Sequence, residues 1–508
     1  MERFSTSRIP APKWSFGDLS TEIIALIFKK LRDIDARSLA PVRLLSTRIN
    51  AIVTPIQFEY IRLTEDMISP QAEVHHQQGL QYIYVYTRHV EVRNDLDPRR
   101  IKHVLDNIER LLSVRWCYVR SNFRTGPFWL PSDILSPRHV NTKLYIEDLP
   151  LRDPLSGSPL DVYLRAIPTG ALVSLKTAHP APPLVAHLEP LKRLLLACPR
   201  LETLHYHDRG QGRRFTFAPG ERLPALTELS LRSYDWDHGP AAAHEHWDFS
   251  RLRRLALVDV PAGPFLAAVV PSHPGLAARL EALRCECDDD DNATPALRAL
   301  VAAGSALREL RLVCHMRLLA PADDLLRPHA ASLRALSLRD HVGFGDEQKT
   351  CPTLRARDVG RLADTLGVLR ELELDWDVPV CDDPAGFLGA LCAFPRLHTL
   401  VLHTQTVVRP LLDDDDDEEE ETGEESDRDY EAAVQTLSFL VRGKSAFAVP
   451  WRCITINVGG WRHAMVRRTS APWRERNLRG VYAERCFVLE RQDDGGEMVM
   501  REERAVDT

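Results

Sequence analysis

The stretch Leu226–Arg232 reads LTELSLR, and its pattern returns down the chain. LRRLALV follows at Leu252–Val258, LEALRCE at Leu280–Glu286 and LRELRLV at Leu307–Val313. LRALSLR stands at Leu333–Arg339, LRELELD at Leu369–Asp375 and LHTLVLH at Leu397–His403. A looser copy, LETLHYH, opens at Leu201. Successive starts lie 25, 26, 28, 27, 26, 36 and 28 residues apart, a nearly constant register with one insertion.

In each copy the second and third apolar residues are two apart. They therefore share one face of a strand, and the residues between them share the other. A strand this short cannot bury its apolar face alone. Stacking the units pairs the strands into a parallel sheet over one continuous core. A consensus of this kind with a period of roughly 20–29 residues is that of leucine-rich repeats. The return segments read as helices. Leu188–Ala197 stops at Cys198-Pro199-Arg200, and Phe387–Ala393 stops at Phe394-Pro395-Arg396, where proline ends the helix before the next strand. Weaker units are expected at Val90–Val92, Val140–Ile146 and Leu172–Leu175. Cys453–Val458 and Arg485–Leu489 read as strands that would close the last sheet edge, and the chain after Gln492 as a disordered tail. The expected fold is an α/β solenoid, a leucine-rich-repeat horseshoe.

The 508 residues exceed one ordinary compact domain, and 44% of them are hydrophobic, so a folded chain is expected. No apolar run approaches the roughly 18 residues of a membrane helix. The first ten residues carry Glu2, Arg3 and Arg8 and no apolar core of a secretory signal. The ten cysteines include no CxxC pair and read mostly as buried thiols of a reducing, intracellular compartment, cytoplasm or nucleus. The net charge of −7 conceals an uneven distribution. Residues 413–429 hold thirteen acidic groups and one arginine, a local charge of −12 that leaves the remainder at +5.

Residues 16–61 differ in character. Ile23, Ile27 and Leu31 recur at the fourth residue, with Ile24 and Phe28 beside them, as on an amphipathic helix N-capped by Ser20. A second helical stretch carries Leu39, Val42, Leu45 and Ile49, with Pro41 in its first turn and Pro55 ending the run. Leu19, Glu22, Ile23, Ile27, Phe28, Leu31, Asp35, Leu39, Leu45, Ser46 and Arg48 fall where the F-box family places its pattern, and the segment resembles an F-box. Thr54–Ile61, TPIQFEYI, looks like the tail of many fungal F-box proteins. The chain departs from the family at Ser20, where proline is usual, at Ala36, where an apolar residue is, and at Ile49, where an aromatic is.

The resemblance implies a three-helix module that docks a Skp-family adaptor through Leu19, Ile23, Ile27, Phe28, Leu31, Leu39 and Leu45. A cullin and a RING subunit would lie beyond the adaptor, and the repeats would hold a protein substrate. Catalysis would then be by proximity, so this chain is expected to be no enzyme and to need no cofactor. Neither a membrane nor a nucleic acid is expected as a partner. A second reading makes residues 16–61 a helical cap and the protein a repeat scaffold that binds basic proteins through its acidic run, with no ligase role. The expected layout is a tail (1–15), the F-box (16–61), the repeats (62–410), an acidic disordered loop (411–430), a C-terminal cap (431–492) and a tail (493–508).

Flanking the inward leucines, an arginine recurs in five consecutive units: Arg232, Arg254, Arg284, Arg311 and Arg339. They read either as solvated sheet-surface residues or as a stripe that binds an acidic or phosphorylated substrate segment, because guanidinium forks match carboxylate and phosphate. The next unit reverses to Glu371, Glu373 and Asp375. Trp236 and Trp376 follow strands as either binding anchors or edge packing. Cys285 and Cys287 fit the repeat core better than a metal site, His205 and His207 lack further ligands nearby, and His75-His76 reads as a loop. Phosphate loops, HExxH and nucleophile elbows are absent from the sequence. The acidic run is expected to remain solvated, to attract basic partners, or to lie against the seven arginines of residues 452–479.

Overall fold

The computed structural model of the chain describes residues 16, 19–119, 131–139, 141–149, 164–165, 167–178, 188–208, 213–286, 293–314, 322–340, 354–378, 381–404, 406–408, 427–458, 485–492 and 497–504. They form two compact α/β units, Met1–Ala178 with Pro183–Arg200, and His179–Pro182 with Leu201–Thr508.

The first unit opens with α1 (Thr21–Ile34), α2 (Leu39–Val42) and α3 (Thr47–Phe58). Ser20 caps α1 as the sequence suggests, its hydroxyl accepting the Ile23 N–H at 3.4 Å. The stretch from Leu39 to Ile49 is not one helix. Ser46 adopts an extended backbone and its hydroxyl accepts the Ile49 N–H at 3.1 Å, which starts α3 afresh. Nor does Pro55 end that run, for α3 continues through it to Phe58. Ile24, Phe28, Leu39, Val53 and Ile56 meet in a small core of their own.

Five parallel strands follow in chain order: β1 (Tyr60–Arg62), β2 (His89–Arg93), β3 (Ser113–Cys117), β4 (Lys143–Leu149) and β5 (Leu172–Thr177). Register aligns Val90, Val114, Leu144 and Leu172 in one buried row and Val92, Trp116, Ile146 and Leu175 in the next. His75 and His76 lie at a junction of two helices, Pro70–His75 and Gln77–Tyr86, rather than in a loop.

In the second unit, β6 (Thr203–His207), β7 (Glu228–Arg232), β8 (Arg254–Val258) and β9 (Ala282–Glu286) lie parallel and in sequence order. They continue through β10 (Glu309–Cys314), β11 (Ala335–Asp340), β12 (Glu371–Asp375), β13 (Thr399–Thr404) and β14 (Cys453–Val458). The repeat leucines explain the register. Leu229, Leu255, Leu283, Leu310, Leu336, Leu372 and Leu400 form one buried row, and Leu231, Leu257, Cys285, Leu312, Leu338, Leu374 and Leu402 the other. Each buried leucine contributes about 1.5–3 kcal/mol against exposure. Helices between the strands pack each on the next, from Pro240–His246 to Arg428–Gly443.

The sheet of this unit then turns antiparallel. β15 (Arg485–Arg491) pairs with β14, and β16 (Met498–Arg504) pairs with β15. Part of the segment expected as a disordered tail is therefore a strand. The reason is local: buried Arg485 on β15 binds Glu502 on β16, Nε to Oε1 at 2.8 Å.

Candidate functional site

An α-helix turns about 100° per residue. On α1 this places Ile24, Phe28 and Leu31 on one stripe and Ile23, Leu26, Ile27 and Ile34 on another. The first stripe is spent on the core: Ile24 and Phe28 are buried, and Leu31 packs half-buried against them with Leu19. The second faces water, with Leu26 63% exposed and Ile34 83% exposed. Leu44 and Leu45, in the turn between α2 and α3, are 87% and 70% exposed. Exposed large aliphatic side chains on a folded module are the surface feature that interaction sites use, which makes this stripe the candidate site.

The expected docking residues are thus divided. Ile23, Ile27 and Leu45 are exposed, Leu19 and Leu31 are half-buried, and Phe28 and Leu39 are core residues. Phe28 also makes an edge contact with Phe16 at 6.0 Å. Sequence reasoning merged the two stripes because residues 23 and 31 stand only about 80° apart on a helical wheel. It missed Leu26, Ile34 and Leu44. Leu26 sits three residues from Ile23 and one from Ile27, and that spacing is the signal that identifies it.

Polar contacts hold the module's geometry. Arg32 Nη1 reaches Glu59 Oε2 at 2.5 Å, and Arg48 Nη2 donates to the Leu19 carbonyl at 2.7 Å. Arg43 donates to Asn50 Oδ1 at 2.9 Å and to Gln57 Oε1 at 3.1 Å, tying the α2–α3 turn to α3.

The arginine stripe of the second unit is not an unpaired electropositive surface. Arg232 lies 4.0 Å from Asp259, Arg254 3.7 Å from Glu228, and Arg284 2.7 Å from Glu286. Arg311 is 2.6 Å from Glu309 and 3.9 Å from Glu373. Arg339 is buried and pairs with buried Asp375 at 3.2 Å. Arg284 and Arg311 each face a carboxylate two residues along their own strand, whereas strand register brings Arg254 beside Glu228, Arg311 beside Glu373 and Arg339 beside Asp375, which the linear sequence does not display. His205 and Glu228 pair in the same way at 2.8 Å, and His403 and Glu373 at 2.7 Å. Burial works to raise the Glu373 pKa, but His403, the Ser337 hydroxyl and Arg339 outweigh it and hold it at about 2.

Both tryptophans are packed rather than presented. Trp236 is buried against Phe265 at 4.5 Å and Trp247 at 5.2 Å, and Trp376 stacks on Phe387 at 5.9 Å. Cys285 is a core residue, while Cys287 and the aspartates after it lie outside the described residues. Four of the eight described cysteines, Cys117, Cys381, Cys453 and Cys486, are only half-buried. Burial pushes the Cys117 and Cys198 thiols up to about 12 and Cys486 to about 11, away from thiolate chemistry. Among the described residues no cluster of His, Cys, Asp or Glu is placed to hold a metal, and no helix is long and apolar enough to cross a membrane.

The acidic run ends in structure. Asp427 caps the helix Arg428–Gly443, and buried Asp429 accepts from the Thr406 hydroxyl at 2.7 Å and the Val407 N–H at 3.1 Å. Residues 1–15, residues 409–426 with the rest of the run, and all of the 452–479 arginines except Arg452 lie outside the described residues. No protein-family model matches the chain, and no curated protein matches it in sequence.

Proposed function

We propose that this protein is the substrate-recognition subunit of a Skp–cullin–F-box ubiquitin ligase. On this reading the N-terminal helices are an F-box and the strand–helix units a leucine-rich-repeat solenoid that holds the substrate. The observation that carries the proposal is the second apolar stripe of α1. Ile23, Leu26 and Ile27 face water on a module whose own core is already filled by Ile24, Phe28, Leu39, Val53 and Ile56. A cap that served only the repeats would have no use for these side chains on its outer surface.

The chain itself performs no chemistry on this reading. It brings substrate lysines near a charged conjugating enzyme, and the rate gain is one of effective concentration. The test is recovery of adaptor, cullin and RING subunit together from cell extract on the tagged full-length chain. A Leu26→Asp/Ile27→Asp variant, which leaves the module's core intact, should lose all three at once. Retention of all three by that variant would place the contact elsewhere, and recovery of none by the parent would favour a repeat scaffold without a ligase.

A further inference from the structure

The second unit holds a cleft of about 540 Å³ lined by the helices Pro384–Cys392 and Arg428–Gly443 and by the chain after β12 and after β13. Volumes of this order accommodate a drug-sized ligand or a few peptide residues. The floor is apolar, formed by Trp376, Val378, Leu388 and Val407. The lining carries three carboxylates, Asp382, Asp383 and Glu431, against one cation, Arg428.

Two helix N-termini open on this cleft, and their partial positive charge favours anions. The caps offset that preference. Asp383 accepts the Gly386 N–H at 2.8 Å, and Asp427 accepts the Tyr430 N–H at 3.1 Å. Arg428 is engaged within the chain. What remains is the pair Asp382 and Glu431, both exposed and neither in an ion pair among the described residues. The arginines of the sheet face, by contrast, are already matched to carboxylates.

We propose that this cleft recognises a basic–apolar peptide segment. An arginine or lysine would lay its aliphatic stem on the Val378, Leu388 and Val407 floor and bring its cationic head to Asp382 and Glu431. The partner is therefore basic, opposite in sign to the one an arginine stripe would select. Eleven further carboxylates, Asp413–Glu421 with Glu424 and Glu425, are joined by the chain to the cleft residues Val408 and Arg428. Tethered charge of that size raises the local concentration of basic segments without supplying the site. The proposal goes beyond the ligase reading and does not depend on it.

The test is fluorescence anisotropy of the full chain with a labelled hexapeptide of alternating leucine and arginine, and with the same peptide carrying glutamate for arginine. The arginine peptide is expected to bind saturably and the glutamate peptide not to bind. Asp382→Lys/Glu431→Lys, two exposed changes, should weaken the arginine peptide at least about tenfold and admit the glutamate peptide. A third variant with the eleven loop carboxylates neutralised should keep the arginine preference at a lower association rate. Equal binding of both peptides, or an unchanged affinity in the double variant, overturns the proposal. Loss of binding in the loop variant alone assigns the basic peptide to the acidic run and overturns it as well.

Discussion

Arg485 fastens three elements of the second unit, and its removal should be felt locally. Its side chain is 5% exposed. Nη1 and Nη2 reach the two Asp427 carboxylate oxygens at 2.6 and 2.7 Å, and Nε and Nη2 reach Glu502 at 2.8 and 3.1 Å. The guanidinium also lies 4.7 Å from the Phe487 ring centre. Breaking a fully buried pair costs about 3–5 kcal/mol, because the partner charge is stranded. Here Asp427 is 47% exposed and Glu502 27%, so both can turn to water. The expected cost of Arg485→Met is therefore lower, about 2–3 kcal/mol. The loss should concentrate in β16, which among the described residues is a sheet edge paired only with β15. Amide hydrogen exchange followed by mass spectrometry over residues 498–504 should speed up by roughly 30- to 140-fold. Arg501→Met is the control: its pairs with Glu490 and Glu503 are half-exposed and worth little. Exchange within twofold of the parent in Arg485→Met, or equal damage from Arg501→Met, would refute the reasoning.

Two further outcomes follow from the same structure. Leu310→Ala should destabilise the second unit by about 2–5 kcal/mol, since Leu310 is fully buried on a strand with neighbours on both sides. The adjacent Arg311→Ala, on the opposite face and half-exposed, should change stability by less than about 1 kcal/mol, as urea midpoints will show. For pH, burial and then Arg214 push His238 down to about 4, so the unfolded chain takes up its proton first. The stability it confers is complete above about pH 6.5 and is lost as pH falls through 4. Glu373, held at about 2, adds a further loss only as pH falls from the ordinary glutamate value of 4.5 toward 2. Urea midpoints should therefore fall between pH 6.5 and 4.5 in the parent, and His238→Gln should lessen that slope; an unchanged slope contradicts the assignment.

The strands that leucine marks are legible in the sequence, because a buried row demands the same residue class at the same place in every unit. Leu226-Leu229-Leu231 and its successors each fall on a strand or its entry. β1 and β3 were not anticipated. SVRWC buries Val114 and Trp116 in place of leucines, and YIR buries none of its three residues, too few to show an alternation. β16 was hidden because MVMREER is polar, and its order comes from pairing with β15 rather than from a core of its own. The arginine stripe was visible as residues but not as charge. Glu309, two residues from Arg311 on the same strand, was readable as its partner, but only the register reveals that Arg254 sits by Glu228 and Arg311 by Glu373. At the N-terminal helices, the chain shows apolar residues on α1, yet which stripe is outermost depends on how α2 and α3 pack. That packing takes Phe28 and Leu39 inside and leaves Leu26 and Leu44 outside.

What covers the exposed stripe of α1 decides whether the chain is a ligase subunit. The most direct measurement is a calorimetric titration of the purified full-length chain with a purified Skp-family adaptor, repeated with Leu26→Asp/Ile27→Asp. The parent is expected to form a saturable one-to-one complex and the variant to lose roughly 30-fold or more in affinity, the mark of hot-spot side chains. A folded parent that binds no adaptor, or a variant that binds as tightly as the parent, would contradict the ligase reading.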